Sequence, residues 1–515
     1  VAAAIERLHP DDFEALARHY AEAGDEERAL LYHVQAGERA FAAYANLEAE
    51  GHYRAALELV AEEADRADLL WRLGRALNRQ SRYEEAIDVW REGIARYQAS
   101  GNQDGVARLY ARSARAAWML GDTPRGLRIC REGMAATAGA QESPDLADLL
   151  HETGRACHFN GLPGEAGPLC RQALEMAERL GAVRVQAEAL TTLGILPGQP
   201  YEEAMSGLTR AVELAESHGL LDQAARAHNN LGVLQRDVRA GREHFLRAAE
   251  LDRNRGEILG ELFYKYNAAY RLLFLGELAE FEETLPKLWQ LLDTVGEPGL
   301  MTANLRTLEA LILRYRGELV EAIEELELLR EDARAAGDLQ SLAYLSAELA
   351  LVSVWEDVGE DEDVEATLQE TLYLGERGMR TEVLALCLLS VWHARQGEQE
   401  AACHLLARAR EQTPQLYGEP FLPWARAELA LAEGHWPEAL SAFETTVETL
   451  GQQNLRWYRA RALIEWAGAY LARGASGDRE RAEELLREAQ AEFEAMGAHG
   501  YVERVTTRLE ALGAG

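Results

Sequence analysis

Four small residues, Gly74, Ala114, Gly154 and Gly194, stand forty positions apart, and each opens the same local pattern. Downstream of each comes a small residue, then four positions on a bulky or thiol side chain, then three further on another small one. The sets are Ala86-Trp90-Gly93, Gly126-Cys130-Gly133, Ala166-Cys170-Ala173 and Ala204-Leu208-Ala211. A fixed period of this length is the mark of a repeat protein whose units cannot bury their apolar faces alone and must stack. Small residues let two helices approach closely, and the large ones fill the space between them.

The composition agrees with helices. Ala, Leu, Glu and Arg dominate, all good helix formers, and only 13 of 515 residues are Pro. No sustained alternation of Val, Ile and Thr with polar residues suggests strands. A globular chain of this length would fill three or four domains, but a solenoid grows by stacking without a new core. Charge is 53 basic against 87 acidic, a net of −34, so direct binding of DNA or RNA is not expected. The only lysines are Lys265 and Lys287. The five cysteines, Cys130, Cys157, Cys170, Cys387 and Cys403, show no C-x-x-C spacing and read as buried small hydrophobes. No apolar run approaches eighteen residues, so no membrane span is expected. The start, VAAAIERLHPDDFEALARHY, is charged within six residues and reads as no signal peptide. A cytoplasmic address follows as the default. A first residue of Val reads as a piece of something longer.

Each unit lays out as two helices, and the arrangement resembles the tetratricopeptide repeat, with spacings of 37 to 41 in place of its usual 34. The expected fold is all-α, a tetratricopeptide-like solenoid of about twelve helical hairpins. Residues 1–62 read as irregular helices of this type, 63–220 as regular repeats, 221–500 as further repeats and 501–515 as a capping helix. Inter-helix turns are expected at Gly24-Asp25, Gly121-Asp122, Gly161, Gly276, Gly317, Gly397 and Gly434. An acidic loop is expected at 358–365. The stretches ILPGQP at 195–200 and RDVRAGR at 236–242 are displaced from the register, and a bend or a change of pitch is expected there.

In the first sixty residues, HYAEAGDEERAL, AGERA and HYRAALEL resemble the entry into the tetratricopeptide arm of large bacterial signal-transduction ATPase regulators. These include the maltose-activator type with a LuxR-like DNA-binding end and the antibiotic-regulatory activators. The resemblance implies a sensing arm flanked by ATPase or DNA-binding modules, which this sequence does not contain.

Nothing in the sequence announces chemistry. Gly-x4-Gly-Lys-Ser/Thr, His-Glu-x-x-His and Gly-x-Ser-x-Gly are all absent. Paired carboxylates such as Glu84-Glu85, Glu202-Glu203 and Glu324-Glu325 read as solvated helix faces. No catalytic residue, metal or cofactor is expected.

Binding is the better expectation. In stacked hairpins the first helix of each unit lines the inner wall. One position past the small landmark stand Arg75, Arg115 and Arg155; three before it are Trp71 and His151; four after it are Asn78, Trp118 and His158. Arginine forks grip carboxylates and stack on aromatic rings. An acidic peptide, a protein partner or a small anionic ligand would suit such a wall. The competing reading is that these arginines pair with acids of the next helix, for example Glu152. A second cluster, Tyr266, Asn267 and Tyr270 with Asn229 on the preceding unit, would add adaptable polar contacts; its tyrosines read equally as core. The function expected is a partner- or ligand-sensing arm of a bacterial, transcriptional regulator, acting through a change of curvature or exposure of a flanking module. The alternative is a standalone scaffold or peptide receptor. Self-association through end caps or edges stays open.

Overall fold

The computed structural model of the chain describes residues 1–514 apart from 197, 297–298, 357–360, 380 and 413–419, with the side chains of 64, 299, 300, 361 and 514 also outside the described set. Among the described residues there is no strand, and the chain is a succession of helices. It divides into two units, Val1–Ala189 and Leu190–Gly515. The division falls close to the displaced ILPGQP stretch. Of the acidic loop expected at 358–365, residues 358–360 lie outside the described residues, and 361–365 form the start of a helix instead of a loop.

The first eleven helices are α1 (Ala2–Leu8), α2 (Phe13–Glu22), α3 (Glu26–Ala42), α4 (Asn46–Leu59), α5 (Glu63–Arg79), α6 (Tyr83–Ser100), α7 (Gln103–Met119), α8 (Thr123–Ala136), α9 (Pro144–Phe159), α10 (Pro163–Arg179) and α11 (Val183–Leu193). Then follow α12 (Tyr201–Ser217), α13 (Leu221–Leu234), α14 (Val238–Asn254), α15 (Ile258–Leu275), α16 (Leu278–Asp293), α17 (Gly299–Arg316), α18 (Leu319–Ala336), α19 (Leu339–Glu356) and α20 (Asp361–Leu374). A kinked segment, Gly375–Met379, with Gly378 in the left-handed region at φ 92°, leads on to α21 (Glu382–Arg395), α22 (Gln399–Glu411), α23 (Phe421–Ala432), α24 (Trp436–Gln452), α25 (Arg456–Arg473), α26 (Asp478–Met496) and α27 (His499–Ala514).

From α3/α4 to α25/α26 these pair into hairpins, the tetratricopeptide-like solenoid that the spacing predicts. The small landmarks explain the close approach within each pair. A β-carbon at Gly154 would lie 2.6 Å from Cys170 Sγ, at Gly194 2.5 Å from Leu208 Cγ and at Gly232 2.8 Å from Phe245 Cε1. At Gly74 it would overlap the indole of Trp90, which is fully buried. Gly37 stands in the same relation to Tyr53, at 2.6 Å, so the pattern begins one unit earlier than the forty-residue spacing reveals. The turns carry the expected glycines in the left-handed region, Gly121 at φ 80° and Gly276 at 69° among them. Helix starts are closed by side chains: Asp25 accepts from the Arg28 amide at 3.1 Å and Asp122 from that of Arg125 at 3.0 Å.

Cys130, Cys157, Cys170 and Cys387 are buried as expected, while Cys403 is exposed. It lies on α22 beside Glu433, with Sγ 3.6 Å from the carboxylate.

In unit 2 helices α25 and α27 depart from nearest-neighbour stacking. The start of α25 lies across the carboxyl ends of α15, α17 and α19. Trp457 donates from Nε1 to the Tyr315 carbonyl at 3.3 Å, Arg461 donates to the Trp355 carbonyl, and the Tyr458 ring sits 5.9 Å from that of Phe274. Carbonyls in the last turn of a helix lack intrahelical partners, so α25 satisfies two of them. Arg461 also binds Glu356 at 3.1 Å, and Glu356 accepts from Tyr501 at 3.0 Å and Arg504 at 2.9 Å.

Candidate binding wall

In unit 1, ion pairs step between the first helices of neighbouring hairpins, from α3 to α5 and from α7 through α9 to α11. Arg72 of α5 pairs with Glu38 of α3. Arg108 of α7 grips Asp145 of α9 with Nη2 at 2.6 Å, and Arg112 pairs with Asp148. Arg115 reaches Glu152 at 2.9 Å, and Arg184 of α11 reaches Asp148 at 3.0 Å and Glu188 at 2.8 Å. The register is regular: a residue one past its landmark meets the residue two before the next landmark. Glu38 thus meets Arg72, and Arg115 meets Glu152.

Of the arginine column, Arg115 and Arg155 both engage Glu152, each at 2.9 Å. The competing reading, pairing with an acid of the next helix, describes Arg115, whereas Arg155 meets Glu152 within its own helix α9. Arg155 is almost fully buried, its guanidinium 4.8 Å over the ring of Trp118. Trp118 lies 5.3 Å from Phe159, and His158 lies 5.1 Å from the same ring. His151 is fully buried, with Nδ1 3.6 Å from Glu152 and 3.9 Å from Glu188.

Arg75 differs. By the register its counterpart on the next helix is Arg112, a like charge, and Arg112 turns to Asp148 instead. No ion pair among the described residues includes Arg75. Its guanidinium lies 4.2 Å over the ring of Phe41 and 5.3 Å over that of Trp71. Burial draws its pKa below the ordinary arginine value, with Glu38 acting in the opposite direction. Beside it, Arg79 stacks on Phe41 at 3.6 Å and Tyr44 at 4.8 Å and donates to the Phe41 carbonyl at 2.7 Å. Trp71 and Asn78 are half-buried on the same helix, the Trp71 ring 6.2 Å from Trp90.

Asp148, His151, Glu152 and Glu188 each bring a ligating atom within 4.8 Å of the others, all buried. The surroundings do not fit a metal ion. Three carboxylates meet four guanidiniums, those of Arg112, Arg115, Arg155 and Arg184. Burial alone would raise the Glu152 pKa, yet Arg115 and Arg155 outweigh it and hold this carboxyl well below its usual range. Burial likewise opposes ionisation of Glu188, and Arg184 and Arg115 overcome it. A cation here would have to displace guanidiniums already in place.

In unit 2 the structure brings Asn229 and Asn267 together, Nδ2 of Asn267 donating to Oδ1 of Asn229 at 2.9 Å. Tyr270 donates to Glu348 at 2.8 Å, and the same carboxylate holds Arg314, which is buried against Tyr315, Trp457 and Tyr458. Tyr266 stacks 6.5 Å from Phe263. Sequence reasoning missed Phe41, Glu38, Asp148 and Glu188. The signal for the first two was Gly37, sixteen residues before Tyr53 as Gly74 is before Trp90.

No family model matches the chain, and no curated protein matches it. Among solved structures it is similar to a chain of the APC/C hetero-tetramer Cut9–Hcn1, with 14% identity over 93% of this chain and 91% of that one and a TM-score of 0.49. It is similar to a Rap protein complexed with competence and sporulation factor at 13% identity, covering 70% of this chain and 99% of that one, TM-score 0.49. Yeast Tom70 aligns at 13% identity over 95% and 96% of the two chains, TM-score 0.32. No helix among the described residues is long and apolar enough to cross a membrane.

Proposed function

We propose that this chain is an interaction scaffold that recognises a protein or peptide partner on the first helices of unit 1, with a carboxylate of the partner, or of a small anionic ligand, as the group read. One observation carries the reading. The ion-pair ladder is complete at Glu38–Arg72 and Arg115–Glu152 and broken at Arg75, where register places Arg112 opposite. An incoming carboxylate would supply the missing negative rung, gripped by a planar fork already oriented on Phe41 and Trp71. Trp71 and Asn78 flank that position, and Arg115, Trp118, His151, Arg155 and His158 continue the wall as the ladder that holds it rigid. Asn229, Tyr266, Asn267 and Tyr270 form a separate polar surface in unit 2. The N-terminal resemblance supports the setting of a sensing arm in a bacterial transcriptional regulator.

The test is a peptide array presenting acidic and neutral sequences with free or amidated carboxyl ends. The wild-type chain is expected to prefer free carboxylates, and Arg75→Ala to lose that preference at least tenfold while keeping its helical circular-dichroism signal. Arg75→Lys, which keeps the charge and loses the fork, is expected to fall between. Equal binding of acidic and amidated peptides by wild type, or an unchanged preference in Arg75→Ala, would sink the proposal.

A further inference from the structure

Two hairpins carry a histidine pair in the same place. His33 stands four residues before Gly37, and His52 one before Tyr53. His228 stands four before Gly232, and His244 one before Phe245. In the hairpins opened by Gly74, Ala114 and Gly154 the same two positions hold Leu70 and Val89, Tyr110 and Ile129, Leu150 and Leu169. The position is therefore an apolar contact between the first and second helix of a unit, and two units replace it with imidazoles.

The rings meet through like atoms. Nδ1 of His33 is 3.1 Å from Nδ1 of His52, and Nδ1 of His228 is 3.0 Å from Nδ1 of His244. At that separation one nitrogen must carry a hydrogen and the other a lone pair. A pair with both rings protonated has no acceptor, and sets two positive charges with ring centres 5.4 Å apart in the first pair and 5.2 Å in the second. We propose that these pairs are proton-operated latches, each fastening the two helices of its hairpin while at least one ring is neutral and releasing them when both are charged.

The charged groups around each pair decide how it takes its protons. His228 presents Nε2 to Glu216 of α12 at 3.3 Å. That ring can hold a proton on both nitrogens, giving one to Glu216 and one to neutral His244. Arg247 opposes this charge, and Glu243 favours charge on His244. The second proton, on His244, opens the pair. In unit 1, Glu14 of α2 and Glu48 of α4 favour charge on His52 while Arg39 of α3 opposes it. Burial draws all four imidazoles below their ordinary value of 6.5, and the partner ring adds to this for His33 and His244. The sign follows: a base with a lowered folded pKa contributes stability above its unfolded pKa, and that contribution is lost as pH falls from about 6.5 through the lowered values. Binding by unit 1 is then linked to acidity through α3, which also carries Phe41 under Arg75.

Hydrogen exchange of the full chain, read by mass spectrometry at pH 7.5 and 5.0 and corrected for intrinsic rates, tests the latch. Protection of α3 and α4 is expected to fall at least tenfold relative to α5 and α6 on acidification. The double variant His33→Leu/His52→Leu, which installs the pair found at Leu150 and Leu169, is expected to lose that fall. His228→Leu/His244→Leu should do the same for α13 and α14. If a Leu/Leu variant does not fold, His52→Gln, a neutral hydrogen-bonding side chain that takes no proton, carries the same expectation. No selective loss of protection in wild type, or an equal loss in the Leu/Leu or Gln variant, would overturn the proposal.

Discussion

Glu152 is where the ladder of unit 1 is most exposed to a single change. Its side chain is fully buried and holds two guanidiniums at 2.9 Å, Arg115 and Arg155. At an effective dielectric near 20, two charges about 4 Å apart attract by roughly 4 kcal/mol. Two such attractions are lost in Glu152→Gln, set against the several kcal/mol of desolvation that the carboxylate no longer incurs. The guanidiniums do not suffer equally. Arg115 keeps 19% of its side chain in solvent and can hydrate, whereas Arg155 keeps 6%. Stacking of Arg155 on Trp118 at 4.8 Å retains about 0.5–2 kcal/mol. The balance is a loss of about 3–5 kcal/mol, the range found when one member of a buried ion pair is removed.

A stack of repeats opens locally, so the assay is native-state hydrogen exchange of α7 and α9 in the full chain rather than a single global melt. Arg155→Met combined with Glu152→Gln closes a double-mutant cycle, and a coupling above about 1.5 kcal/mol is expected. The effect should also be insensitive to mild acid. A carboxyl whose folded pKa lies below its unfolded value contributes stability above the unfolded value, here 4.5, and loses it as pH falls through the folded one. The difference between wild type and Glu152→Gln is therefore expected to be the same at pH 7 and pH 5. A cost under about 1 kcal/mol, or additivity of the two changes within about 0.5 kcal/mol, would refute the claim that this cluster is a coupled ion network. The same insensitivity separates the ladder from the histidine pairs, whose contribution declines as pH falls below about 6.5.

Two further outcomes follow from local geometry. Gly74→Ala would drive a β-carbon into the Trp90 indole, which is fixed by a hydrogen bond to the Trp71 carbonyl at 3.3 Å; overpacking of this kind is expected to cost about 1–3 kcal/mol, seen as faster exchange of α5 and α6, and wild-type exchange would contradict it. Asp252 is buried beside Gly260, and burial pushes its carboxyl up to about 7 despite Arg255 at 2.6 Å. Its favourable contribution is complete below the unfolded value of 3.8 and is lost as pH rises through about 7. Asp252→Asn is accordingly expected to slow exchange of α14 relative to wild type more at pH 8 than at pH 5.5, and the opposite order would refute the assignment.

What the sequence made legible, and what it hid, follows from which contacts a period can encode. Stacking places equivalent positions of successive units side by side, so Gly154 against Cys170 and Gly232 against Phe245 could be read from spacing alone. The crossing of α25 over α15, α17 and α19 could not, because Trp457 and Tyr315 are 142 residues apart and no repeat offset relates them. The arginine column was visible as an alignment but ambiguous in role, since a column read alone has no partner. Two columns read together remove the ambiguity. With Gly37 admitted as a landmark, the position one past runs Glu38, Arg75, Arg115, Arg155, and the position two before runs Arg72, Arg112, Glu152 from the next unit onward. Matched across one step, these give Glu38 with Arg72, Arg75 with Arg112, and Arg115 with Glu152. Opposite charges meet in the first and third pairs and like charges in the second, so the sequence already marks the rung where an internal carboxylate is lacking. An acid at position 112 would answer Arg75 but would face the buried carboxylate of Asp148, which Arg112 neutralises. Retaining two cations there leaves Arg75 stacked on Phe41 and Trp71, desolvated and without an acid of its own, which is the condition under which a carboxylate arriving from outside would be held most tightly.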